Sequence, residues 1–175
     1  TAYDYDVPVY ISTIKDSSLA LNLAVHRLED KKFDLDFVRE IIEQAAIVYD
    51  SKKSGILELG GGVPKNTAQQ TGPLLDQILK RNDGGQEYII QITDARPDTG
   101  GLSGATLQEG KSWGKIQDSH EGIITVYADA TIAFPILALY VLSNQKERKP
   151  KRLYKKIDQL YDKLSKDYFD NPNRD

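Results

Sequence analysis

Ile56-Leu57-Glu58-Leu59-Gly60-Gly61-Gly62-Val63-Pro64 is the stretch from which the fold reads. Ile56 to Leu59 has the length and apolar content of a short strand. The three glycines after it remove Cβ atoms, so backbone amides can approach a phosphate or ribose closely. Pro64 fits the first turn of a helix, where its missing N–H costs nothing. Strand, glycine turn and helix together make one βα unit. The spacing is not Gly-x-Gly-x-x-Gly, so the ordinary dinucleotide fingerprint fails, and a tight strand-to-helix turn accounts for the glycines equally well.

The same alternation extends in both directions. Val7-Pro8-Val9-Tyr10-Ile11, Tyr88-Ile89-Ile90-Gln91-Ile92 and Ile123 to Ala128 also read as strands. Helices are expected over Leu19 to Leu28, capped by Asp16 or Ser17, and over Asp34 to Tyr49, with Asp34 as cap. A third is expected over Pro64 to Leu79, kinked or split at Pro73. A fourth, Thr131 to Leu142, is apolar on every side and is expected to be buried almost all round. Four strands alternating with helices predict an α/β fold, a Rossmann-like parallel sheet with helices on both faces. Asp16, Gly61, Thr93 and Asp129 then fall at equivalent C-terminal strand ends, which points to one shared crevice. For Asp16 a plain N-cap is the competing reading.

The chain has 175 residues, enough for one domain with a core. Its net charge of −3, with both signs interleaved, gives no nucleic-acid footprint. There is no cysteine, and His26 and His120 lack ligand spacing, so no metal site is expected. No apolar run is long enough for a membrane span, and no signal peptide is visible, so a cytoplasmic location is expected. The chain starts at Thr1 and contains no Met, which reads as a processed product or a piece of a longer one. Composition shifts near Ser143. We therefore divide the chain into a body, residues 1–145, and a basic amphipathic C-terminal helix and tail, residues 146–175. Leu153, Tyr154, Ile157, Leu160, Tyr161 and Leu164 form the apolar stripe of that helix. It is expected to dock on the body or on a neighbouring subunit, and Asn171 to Asp175 to be disordered.

Reactive groups concentrate in Gly104 to Ile116. This stretch holds the only tryptophan, Trp113, with Glu109 before it and Lys115 after it. A lysine in a dry pocket loses its proton more easily and can then attack a carbonyl or imine carbon. Trp113 and Glu109 suit a cationic substrate. A surface loop with a snorkelling lysine is the bland alternative. The glycine-rich loop Ala95 to Gly104, with Arg96, Asp98 and Ser103, leads into this stretch and is expected to be mobile.

Three blocks, in order, carry a family resemblance. Gly60-Gly61-Gly62-Val63-Pro64-Lys65, Ser112-Trp113-Gly114-Lys115-Ile116 and Val126-Tyr127-Ala128-Asp129-Ala130 resemble deoxyhypusine synthase and its bacterial and archaeal relatives. The resemblance covers about residues 1 to 143 and matches the C-terminal part of a family member. It implies NAD-dependent transfer of the aminobutyl group of spermidine, through an imine on Lys115, to a lysine of a translation factor. It implies NAD contacts at Asp16, Gly61, Thr93, Asp94, Asp129 and Ala130, polyamine contacts at Asn66, Glu109 and Trp113, and a homotetramer. The chain also departs from the family. Asn66 stands in place of a histidine at the reacting centre, and an amide carries no proton at neutral pH. Leu21 and Leu102 stand in place of two aspartates that hold the polyamine, and Asp94 in place of an alanine. Asp98, Asp94 and Glu109 are the carboxylates at hand to take over part of that clamp. These departures suit a divergent member, for which transfer to a free amine, as in homospermidine formation, is one alternative to a protein lysine. A non-catalytic scaffold is the remaining alternative.

Overall fold

The computed structural model describes residues 1–33, 35–81, 85–117 and 122–172. The body begins with a 3-10 turn, Ile14–Asp16, and helix α1, Ser18–Leu28. Ser17 caps α1 by accepting from the Ala20 amide at 3.3 Å. Helix α2 is Phe37–Asp50, capped by Asp36, which accepts from the Arg39 amide at 2.8 Å. Asp34, the expected cap, lies outside the described residues. Strand β1, Gly55–Leu59, runs through the glycine turn into α3, Val63–Gln69. A helical turn α4, Thr71–Pro73, and a π turn, Leu74–Ile78, follow, so the expected helix is split around Pro73. Strand β2 is Tyr88–Thr93, α5 is Leu107–Ser112, β3 is Ile123–Tyr127 and α6 is Ala130–Asn144. A 3-10 turn, Leu153–Lys156, leads into α7, Ile157–Phe169.

The sheet is parallel, ordered β1-β2-β3, with Leu59 beside Ile92 and Thr93 beside Tyr127. The fold is thus α/β, as the alternation implies. Among the described residues the sheet has three strands where the sequence predicts four. Val7 to Ile11 forms no strand; its apolar residues Val7 and Val9 are exposed, and Tyr10 hydrogen-bonds Glu43 of α2 at 3.2 Å. A short apolar run becomes a strand only where a neighbouring backbone completes its ladder, and among the described residues this run pairs with no strand.

Side chains alternate across the sheet with period two. One face carries Ile56, Ile89 and Ile123 in register, then Glu58, Gln91 and Thr125. Leu107 and Ile116 pack on Ile89 there. The other face leaves Leu57, Leu59, Ile124 and Val126 exposed around a buried Ile92. Helix α6 meets the sheet at β2. Contrary to the expectation for this segment, it is not buried: Ile132, Ile136, Leu139 and Leu142 are all about two-thirds exposed. A helix apolar on every side has no single face to bury, and one contact with β2 leaves the rest in solvent.

The second core forms between α2 and α7. Ala45 and Ala46 let the helices approach, and Leu75, Leu160 and Leu164 fill the gap. Around it Tyr49 donates to Asp167 at 2.9 Å, Lys163 pairs with Asp50 at 2.7 Å, and Arg39 bonds Asp158 while lying over the Tyr161 ring. The C-terminal helix is therefore docked on α2 of its own chain. Leu164 is 1% exposed, so Leu164→Ala removes core contacts and leaves a void. The expected cost is about 2–5 kcal/mol, read from the midpoint of urea unfolding.

Candidate active site

The segment 114–116 is held from three sides before its lysine side chain enters the site. Thr106 caps α5: its hydroxyl accepts from the Glu109 amide and donates to the Glu109 carboxylate, both at 3.2 Å. Thr106 and Glu109 have the spacing of a capping box, with the carboxylate taking the Thr106 hydroxyl in place of its backbone amide. Helix α5 ends at Trp113, and Gly114 takes a left-handed φ of 69°, which turns the chain back. The Lys115 amide then donates to Gly110 at 3.0 Å, and its carbonyl accepts from Gln86 at 3.1 Å. Gln86 and Ile116 form an isolated parallel bridge, and Gln77 caps the Trp113 carbonyl at 3.0 Å.

The Lys115 side chain donates to Asn66 Oδ1 at 2.5 Å. Both residues line a cavity of about 170 Å³, together with Lys65, Leu102, Glu109 and Trp113. Burial disfavours the ammonium and lowers the Lys115 pKa below the usual lysine value. Lys65 is more deeply placed, 7% exposed, and donates to the Ala105 carbonyl at 2.9 Å. Burial lowers its pKa too, against Glu58 and Glu109, which favour its charge, and with Lys115, which opposes it. Behind Lys65 stands Glu58, 4% exposed, bonded through Oε1 to Gln69 at 2.5 Å and with Oε2 unpaired. Burial raises its pKa, opposed by the Gln69 bond and the Lys65 charge. Trp113 is 67% exposed and stands at the rim of the cavity instead of on the core. Asp98 is not among the lining residues; it forms a two-pronged pair with Arg96, at 2.7 and 3.0 Å. Leu21 is exposed on α1.

A second group of residues lies along the C-terminal edge of the sheet. The Gly60 amide bonds Ile92 at 2.7 Å and the Ala128 amide bonds Thr93 at 3.1 Å, which brings Gly61, Thr93, Asp94, Asp129 and Ala130 to one edge. Gly60 and Gly62 are left-handed, and a Cβ on Gly60 would meet nothing within 4 Å. A Cβ on Gly61 would lie 2.7 Å from Ser103 Cα, so that position gives room to the protein's own loop. Thr93 is buried and accepts from the Ala95 amide at 3.1 Å. Asp94 is exposed. Asp129 caps α6 through Oδ1, which accepts from the Thr131 amide and hydroxyl, both at 2.7 Å; these bonds lower its pKa. No strand leads into Asp16 among the described residues; it closes the 3-10 turn before α1. The edge fits a dinucleotide at Gly60, where the backbone is open, and at Asp129, whose other oxygen remains an acceptor.

Sequence reasoning left Lys65 and Gly85 without a role. For Lys65 a signal existed: a lysine in the first turn of a helix opposes the helix dipole and needs another reason to be there. Gly85 has none, since its use depends on the bridge to Ile116. His120 lies outside the described residues, and among those residues no cluster of His, Asp and Glu suits a metal. Among them, too, no helix is long and apolar enough to cross a membrane.

Comparison with known proteins gives the family. A family model described as deoxyhypusine synthase matches residues 1–141. A deoxyhypusine synthase-like protein of Nostoc sp. (strain PCC 7120) is 46% identical over 173 residues, covering 96% of this chain and 45% of that protein. The protein of the same description from Thermosynechococcus vestitus is 42% identical over 176 residues, 96% of this chain and 44% of that one. A probable deoxyhypusine synthase 2 of Methanosarcina acetivorans is 41% identical over 138 residues, 79% of this chain and 39% of that one. The chain thus spans less than half the length of these curated relatives. With more than half of its residues matched by the family model, the chain belongs to the deoxyhypusine synthase family.

Proposed function

We propose that this chain carries the nucleophile of an NAD-dependent aminobutyl transferase. Lys115 attacks the oxidised carbon of spermidine, the C–N bond to the aminopropyl part breaks with 1,3-diaminopropane leaving, and the resulting imine holds the aminobutyl group. The group then passes to a lysine of a translation factor. The observation that carries this reading is the Lys115 amine, placed in a cavity, oriented by Asn66 and pushed towards its free base by burial. Asn66 holds the amine, Glu109 attracts the cationic end of the substrate, and Trp113 covers it at the rim. NAD, when bound, takes up and returns the hydride that these steps require. Gly61, Thr93, Asp94, Asp129 and Ala130 would hold it along the strand ends, and Asp16 would add a contact from the 3-10 turn before α1. The working form is a cytoplasmic homotetramer.

A second reading differs only in the acceptor, a free polyamine. Incubation with NAD and labelled spermidine, then borohydride and peptide mapping, tests the common part. Label on the peptide containing Lys115 is the expected result. Label on another lysine refutes the assignment, and absence of any label supports a non-catalytic scaffold. Offering the trapped protein a translation-factor lysine or free putrescine then separates the two acceptors.

A further inference from the structure

Addition of an amine to an imine or carbonyl carbon leaves a proton to be removed from the attacking nitrogen. Expulsion of the old amine needs a proton delivered. Few groups around the cavity can do either. Asn66 carries no titratable proton, and the Trp113 indole only donates. Glu109 is at the exposed rim, tied to the Thr106 hydroxyl. Lys65 remains. It is adjacent in sequence to Asn66, lines the same cavity as Lys115, and is buried. Its hydrogen bond to the Ala105 carbonyl uses one N–H and leaves the lone pair of a neutral amine free.

We propose that Lys65 is the proton carrier of this site. Its neutral amine takes the proton released as Lys115 Nζ forms its bond to the reacting carbon, and the resulting ammonium returns that proton to the departing nitrogen. The two transfers cancel, so no further reactant is required. This assignment rests on the reading of Lys115 as nucleophile. The charges facing Lys65 come from three sides: Glu58 on β1, Glu109 on α5 and Lys115 beyond α5. The carboxylates favour its ammonium, while burial and Lys115 favour the free amine, and the free amine gains. That balance suits a group which must hold a proton only briefly.

The test uses this chain with 4-aminobutanal and cyanoborohydride, and follows the adduct on Lys115 by mass spectrometry across pH. Lys65→Arg keeps a donor for Ala105 but cannot give up its proton. Lys65→Met removes both. Each is expected to slow adduct formation on Lys115 by about a hundredfold, in the range of general acid–base catalysis. Adding Asn66→His to Lys65→Met is expected to recover at least about tenfold, with an inflection near pH ~6.5 from the new imidazole. Competitive acetylation of Lys115 should change little in Lys65→Arg, which separates proton transfer from nucleophile placement. A Lys65→Arg rate within twofold of the parent overturns the proposal, and this variant decides the matter if Lys65→Met fails to fold. Absence of any Lys115 adduct in the parent chain overturns the nucleophile reading instead.

Discussion

Lys115→Arg eliminates covalent capture at this site, by roughly a thousandfold or more, the scale on which removing a covalent nucleophile acts. The argument is one of protonation state. Only a free amine attacks carbon, and a guanidinium stays charged throughout the accessible pH range. In the parent protein burial disfavours the Lys115 ammonium, so its pKa is lowered and the free amine accumulates earlier as pH rises. Adduct formation therefore reaches half its maximum below the ordinary lysine value of about 10.4. In the variant the curve is flat and near zero. NAD binding changes little, because Gly61, Thr93 and Asp129 sit at strand ends and not on the segment that carries Lys115. Trapping with borohydride at a series of pH values, beside an NAD titration, reads both quantities. A parent profile centred at the ordinary lysine value, or undiminished trapping in Lys115→Arg, refutes the assignment.

What could be read beforehand follows from how local each signal is. The βα unit from Ile56 to Pro64 was legible because strand, turn and helix start are each spelled in adjacent residues. The stripe of α7 was legible for the same reason, and its docking on α2 follows from matching apolar faces. Val7 to Ile11 misled because its pattern is that of a strand, while strand formation depends on a distant ladder partner. Helix α6 was placed correctly and its burial was not, since an apolar helix says nothing of how much neighbour is there to cover it. At the candidate site, Lys115, Asn66, Glu109 and Trp113 stand around one cavity. The structure pairs Asp98 with Arg96 and places Asp16 in a 3-10 turn with no strand before it. The role of Asp16 comes from the resemblance and that of Asp98 from its being a carboxylate at hand for the clamp, and neither source records ion-pair choice or a missing strand.

The grip on Lys115 is the feature least visible in sequence, and Gly85→Ala tests it. Gly85 has a φ of 84°, where an L residue with a side chain is disfavoured by about 1 kcal/mol. A Cβ there would also lie 2.6 Å from the Lys115 carbonyl carbon and oxygen and 2.8 Å from the Ile116 amide nitrogen. These are backbone atoms held by the Gln86–Ile116 bridge, so no flexible side chain can swing aside. Relieving the overlap costs a further ~1–3 kcal/mol as the segment shifts. Together these lower the melting temperature by about 5–10 °C for a chain of this size. The larger effect is on chemistry. A shift of about 1 Å in a reacting group can cost a hundredfold in rate, so capture on Lys115 falls by about that factor while the protein remains folded at 25 °C. Gly100→Ala is the control: Gly100 also has a left-handed φ, 73°, but a Cβ there meets nothing within 4 Å. It carries the conformational penalty alone and leaves capture on Lys115 unchanged. Thermal unfolding and the 4-aminobutanal adduct, measured on both variants, separate strain from displacement. If Gly85→Ala loses stability but captures aldehyde at the parent rate, the bridge to Ile116 does not position the lysine.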